Sequence, residues 1–257
     1  MDFFNESHVE AAKELLYKMA DDQLIIGHRN SEWTGLGPLL EEDIAFSSMA
    51  QDKLGQSEHL YGLLHELGES DPDTVAFTRN APQFHCCQLV ELPIGEYDFS
   101  LIRHFLFDIA EYHRFEMLCS SSYENLANIA KKYKGEIKYH TMHANIWVSQ
   151  LAKGNEESLQ RLQDQLNQVW NLALGIFEPG NHENVLIETG IFPGEEALKN
   201  VWLSSVVPLL EKAGLKVPAE DTWNPVYGGR FGEHTEHLQP LLDEMTEVYS
   251  IDPSADW

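Results

Sequence analysis

The chain is short of positive charge. Its 257 residues carry 17 lysines and arginines against 42 aspartates and glutamates, a formal net charge of −25. Nucleic acid and anionic membrane both need a positive partner, so neither is expected here. A phosphate-rich ligand such as coenzyme A is disfavoured for the same reason. The acidity serves solubility, or marks a docking face for a partner with a basic patch. Cysteine is scarce too, limited to Cys86, Cys87 and Cys119. An odd count with an adjacent pair is no disulfide framework, so reduced structural thiols and a cytoplasmic home are expected. Cys86 and Cys87 have no second CxxC or HxxxH placed to complete a zinc site. No apolar run approaches the roughly 18 residues of a bilayer span. Met1–His8 lacks the basic start and apolar stretch of a secretory signal. Phosphate-cradling glycine loops and a nucleophile elbow are absent. Alternating Val/Thr-rich runs are few, so little sheet is expected.

What the chain does have is helical periodicity and an apolar content of 43%, enough for a sizeable core. Leu15, Met19, Asp22, Ile25, Ile26 and Arg29 share a stripe on a first helix over 7–30. Ala45, Met49, Asp52, Gln56, His59 and Leu63 share one on a second helix over 39–67, with Gly68 as its stop. Pro72, Pro82 and Pro93 break the stretch 68–97, a long crossover of the kind found in ferritin-like bundles. Further helices are expected over 98–119, 121–153 and 156–177. After Glu178 the chain breaks up, with short helices near 195–213 and 235–248 and an ordered loop over 214–234.

Two pairs of acids, Asp22 with Asp52 and Asp108 with Glu136, stand about thirty positions apart on consecutive helices. A four-helix bundle uses that spacing to hold a carboxylate-bridged pair of metals, with four carboxylates and two imidazoles facing inward. All four acids lie among apolar neighbours, and burying a lone charge is costly. The imidazoles are missing, because Gly55 and Tyr139 occupy the positions where Glu-x-x-His motifs would place them. His140 follows Tyr139 and is rotated by about 100° around the helix, so it is a possible residual ligand. The expectation is a degenerate centre at Asp22, Asp52, Gly55, Asp108, Glu136 and Tyr139, with the four acids converging but binding no metal. Lys18, Arg29, Lys53, Arg103, Arg114, Lys132 or His104 would then neutralise them. The alternative is a working metal pair with an unusual ligand set drawn from Glu111, His113 or His140. His234 and His237 have no third ligand in sequence and read as a surface helix start or interface.

Several segments carry a resemblance: Asp22 through Trp33, Glu42 through Gln56, Asp73 through Arg79 with Gln83 and Phe84, and His234 through Met245. Together they make the chain resemble the C subunits of the bacterial phenylacetyl-CoA epoxidases, in the phenylacetic acid degradation family. The resemblance implies an all-α, ferritin-like four-helix bundle in a single domain over 1–257. Its core would cover about 7–177, with C-terminal helices and loops over 178–257. It implies a non-catalytic structural role in aerobic phenylacetate catabolism, beside a catalytic A subunit that carries the di-iron centre. Such systems also have a small bridging subunit, and a reductase with flavin and an iron–sulfur cluster. No catalytic residue, cofactor or metal ligand is implied for this chain.

Overall fold

The computed structural model describes residues 5–252. Met1–Phe4, where the sequence shows no signal-like start, lie outside them. The architecture is all-α and ferritin-like, with no strand among the described residues. Two helical hairpins, α1 (Glu6–Ser31) with α2 (Leu40–Glu66) and α5 (Tyr97–Leu118) with α6 (Glu124–Ala152), form the bundle. The crossover between them holds two short helices, α3 (Pro72–Phe77) and α4 (Gln88–Glu91). Outside the bundle follow α7 (Glu156–Leu174), α8 (Glu183–Thr189), α9 (Glu195–Ala213) and α10 (Leu238–Thr246).

Local chemistry sets these boundaries. Asn5 caps α1 by accepting the His8 N–H at 2.9 Å. Asp71 caps α3, with Pro72 at the first helical position, where its missing N–H costs nothing. Asn155 and Ser158 form a reciprocal capping box that restarts the chain into α7 after the turn at Gly154. The long helices fall within three residues of the ranges expected from periodicity. The stretch after Glu178 differs, since α8 forms there. Seven residues are too few for a periodic signal, and the helix draws on packing against α1.

Helix α5 is buried on almost every side, which explains its run of Leu101, Ile102, Phe105, Leu106, Phe107, Ile109 and Ala110. α6, α7 and α9 cover it. Trp202 of α9 donates its indole N–H to the Leu106 carbonyl at 2.9 Å and packs 5.3 Å from Trp170 of α7. One buried apolar cluster extends from Ala11 to Leu242, tying the C-terminal helices to the bundle. No helix among the described residues is long and apolar enough to cross a membrane.

Candidate functional site

The centre of the bundle is polar and enclosed except at Asp52, whose side chain is 33% exposed. Asp108, midway along α5, is completely buried. The Lys53 ammonium of α2 lies 2.5 Å from its Oδ1. His104, one turn earlier on α5, meets its Oδ2 through Nδ1. His140 of α6 places Nδ1 3.9 Å from Asp108 Oδ1 and Nε2 3.0 Å from Asp52 Oδ2. His143, three residues on and therefore on the same helix face, sets Nδ1 3.4 Å from His104 Nε2. Its Nε2 reaches the two Glu42 oxygens at 3.0 and 3.1 Å. Tyr97 donates its hydroxyl to Glu42 at 2.6 Å.

The protons follow from this geometry. Burial pushes the His104 imidazole down to about 4, against the pull of Asp108, so it is neutral at neutral pH. Its Nε2 accepts from His143, so its single proton sits on Nδ1, on the side that faces Asp108. His143 thus lies between His104 and Glu42, one ring nitrogen turned to each. Burial alone would raise Asp108, but Lys53 and His104 hold it well below the usual carboxylate range. Glu42 is likewise lowered, with hydrogen bonds from His143 and Tyr97 outweighing its burial. Asp108 is thus met by the Lys53 ammonium, and Glu42 by hydrogen-bonding partners, the condition under which buried charge is tolerated.

The other residues expected at the centre lie elsewhere or face away. Asp22 does not converge with Asp108; it contacts none of the other three acids. Arg230 grips both its oxygens at 2.8 Å, and the Cys87 N–H donates to it at 2.7 Å. The expectation of four converging acids is corrected on this point, because a cation from the C-terminal loop reaches Asp22 first. Glu136 is half-buried at the rim, with Gln56 Nε2 3.4 Å away. Gly55 contributes only its carbonyl, 2.8 Å from His59 Nδ1 and 3.1 Å from the Tyr133 hydroxyl. Tyr139 is exposed. Glu111 binds Arg114 at 2.8 Å and Gln23 at 3.0 Å, and burial raises its carboxyl. His113 meets Ser205 at 2.8 Å.

Of the expected counter-ions, Lys53 and His104 serve Asp108. Lys18 and Arg114 serve Glu195 of α9 instead. Arg29 and Arg103 are engaged by the carbonyls of Glu91 and Leu92, and Lys132 contacts His59. His234, expected at the surface, turns its side chain inward, with Nδ1 2.7 Å from Glu91. His143, Glu42 and Arg230 went unrecognised in the sequence. The pair His140 and His143, on one apolar face of α6, was the one signal that pointed to the first.

These residues do not fit a carboxylate-bridged metal pair. Such a centre needs its carboxylates free on a common point, with an imidazole for each metal. Here Asp22 is bound by Arg230, Glu136 stands at the rim, and the Lys53 ammonium fills the space at Asp108 where a metal would bind.

The sequence matches, over residues 2–257, the family described as phenylacetic acid catabolic protein. Among curated relatives of Escherichia coli (strain K12), the C subunit of 1,2-phenylacetyl-CoA epoxidase is 33% identical over 241 residues, covering 93% of this chain and 96% of the relative. The A subunit of the same epoxidase is 25% identical over 209 residues, covering 78% of this chain and 67% of the relative. With the match running through both hairpins and the C-terminal helices alike, the chain belongs to the phenylacetic acid catabolic protein family.

Proposed function

We propose that the chain is a non-catalytic structural subunit of a cytoplasmic phenylacetyl-CoA epoxidase, an NADPH-dependent di-iron monooxygenase of aerobic phenylacetate catabolism. It acts as one domain and packs against a catalytic A subunit that carries the iron. The system also has a small bridging subunit, and a flavin and iron–sulfur reductase. The observation that carries this reading is Lys53 at 2.5 Å from Asp108. A protein ammonium supplies the positive charge that a bundle of this kind would otherwise take from metal. The single-domain reading is supported by a core continuous from Ala11 to Leu242. Association is supported by apolar side chains left in solvent: Ile44 on α2, and Tyr139, Met142 and Ile146 on the adjacent α6.

A second reading, an independent di-metal oxidase with an unusual ligand set, draws on one observation. His104 and His140 meet Asp108 and His143 meets His104, with Asp52 and Glu42 at either end. Producing the chain alone in iron-supplemented medium separates the two. The structural role predicts no stoichiometric iron and no NADPH-dependent oxygen consumption with the reductase, and a stable complex when an A subunit is co-expressed. Two irons per chain, lost in Asp108→Asn, together with turnover, would establish the oxidase.

A further inference from the structure

Two sequence fragments that each lacked a partner meet in space. Cys86 lies in the crossover, Glu91 ends α4, and His234 lies in the loop before α10. The Cys86 thiol is 3.8 Å from Glu91 Oε1 and 3.9 Å from His234 Nδ1, and that nitrogen is 2.7 Å from the same oxygen. Cys86 and Glu91 are buried, and the His234 side chain is 4% exposed. The loop comes this close because Gly229 and Gly232 have no side chains. A Cβ at either would lie 2.4 Å from the carbonyl oxygen of Cys86 or of Pro82, respectively.

We propose that Cys86, Glu91 and His234 form a binding site for a single thiophilic divalent cation of the zinc class. Three features of the donors support it. His234 Nε2 donates to the Phe84 carbonyl at 3.0 Å, which fixes that proton and turns Nδ1 inward as the ligand atom. Oε2 of Glu91 is held by the Thr235 N–H at 2.7 Å and the Thr235 hydroxyl at 2.6 Å, leaving Oε1 for the ion. Outer partners of this kind orient metal ligands. The spacing is also close to what the ion needs. Bonds of about 2.3 Å to sulfur and about 2.0 Å to nitrogen or oxygen place tetrahedral ligand atoms about 3.3–3.6 Å apart. The thiol moves in by a few tenths of an ångström and the nitrogen–oxygen contact opens by rather more. A water completes the tetrahedron, as in sites with three protein ligands.

The metal-bound site is neutral: a thiolate, a neutral imidazole, a carboxylate and a dication sum to zero. The Cys86 S–H bond breaks, its proton leaves to solvent, and bonds from sulfur, nitrogen and oxygen to the ion form. No oxidant or reductant is involved.

The test titrates the full chain with Co(II), then displaces it with Zn(II). One equivalent of Co(II) is expected to give a near-ultraviolet thiolate-to-cobalt charge-transfer band, with release of the thiol proton. Zn(II) should abolish the band and raise Tm. Cys86→Ser should lose both the band and the zinc-dependent rise in Tm while keeping its helical circular dichroism. His234→Gln should bind at least tenfold more weakly, and Cys87→Ser should behave as wild type. Binding without a thiolate band, equal in wild type and Cys86→Ser, would mean surface carboxylates only and would overturn the site. So would a band that survives Cys86→Ser and disappears in Cys87→Ser.

Discussion

Arg230 closes on Asp22 through two contacts of 2.8 Å, from a position 208 residues further along the chain. Both side chains are buried, so each compensates the other's charge away from solvent. The same guanidinium also donates to the carbonyls of His85 and Ile176. The crossover, the turn after α7 and the C-terminal loop are thus fastened to the middle of α1 at one point. Removing one partner of a buried pair typically costs about 3–5 kcal/mol. Arg230→Met is therefore expected to lose about that much in urea unfolding, and to speed amide exchange in 84–91 and 228–237 before the rest. Adding Asp22→Asn should recover part of it. A loss under about 1 kcal/mol would show the contact to be dispensable.

Lys53 and Asp108 make a second independent test. Lys53→Met should destabilise by about 3–5 kcal/mol, because Asp108 then keeps its charge with only imidazole partners. The double change Lys53→Met with Asp108→Asn should be more stable than Lys53→Met alone. A double-mutant cycle by chemical denaturation measures the coupling. Additive losses would contradict the pairing.

Acid should act in two overlapping windows. His104 titrates near 6.5 when unfolded and is pushed by burial to about 4 in the fold. The unfolded chain binds that proton first, so stability falls as pH drops from about 6.5 to about 4. Burial would raise Glu195, but Arg114 and Lys18 pull it from 4.5 to about 2. Its contribution is full above about 4.5 and is lost as pH falls through about 2. Each effect is on the order of 3 kcal/mol. Glu111, raised by burial, runs the other way and softens the slope. Thermal melts from pH 7 to 2 should show a continuous decline. His104→Gln should flatten the upper part and Glu195→Gln the lower; a flat profile in wild type refutes both.

The exposed apolar side chains bear on the proposed partner. Ile44 and Met142 are 61% and 53% exposed, so Ile44→Glu and Met142→Glu should change stability by no more than about 0.5 kcal/mol. If this face meets the A subunit, both should weaken association at least tenfold by isothermal titration calorimetry. Unchanged affinity would place the interface elsewhere.

The helices were legible because apolar residues recur along them at the period of a helix. An acid on an apolar stripe correctly marked Asp108 as a buried charge. The partner each acid takes was not legible, since it is chosen by the tertiary fold. Asp22 pairs across the whole chain with Arg230, and Lys18 reaches Glu195 of α9. Phase hid His143, although His104 and His140 were marked as a counter-ion and a possible residual ligand. A search for histidine three residues after Asp52 and Glu136 finds Gly55 and Tyr139. The histidines that matter lie four residues before Asp108 and four and seven after Glu136. His234 looked like a surface residue because nothing nearby in sequence reveals that its loop folds back onto the crossover.

The ammonium at Asp108 has one more consequence. A bound metal occupies its site only as far as its free concentration and affinity allow. A fold that depends on it rises and falls with supply, and a chelator can take it away. A cation on the Lys53 side chain has no dissociation constant and is made with the protein. On the structural role proposed above, this bundle would be assembled in the same state whether the cell is iron-starved or replete, and a partner needing a rigid neighbour could rely on it before its own metal arrives.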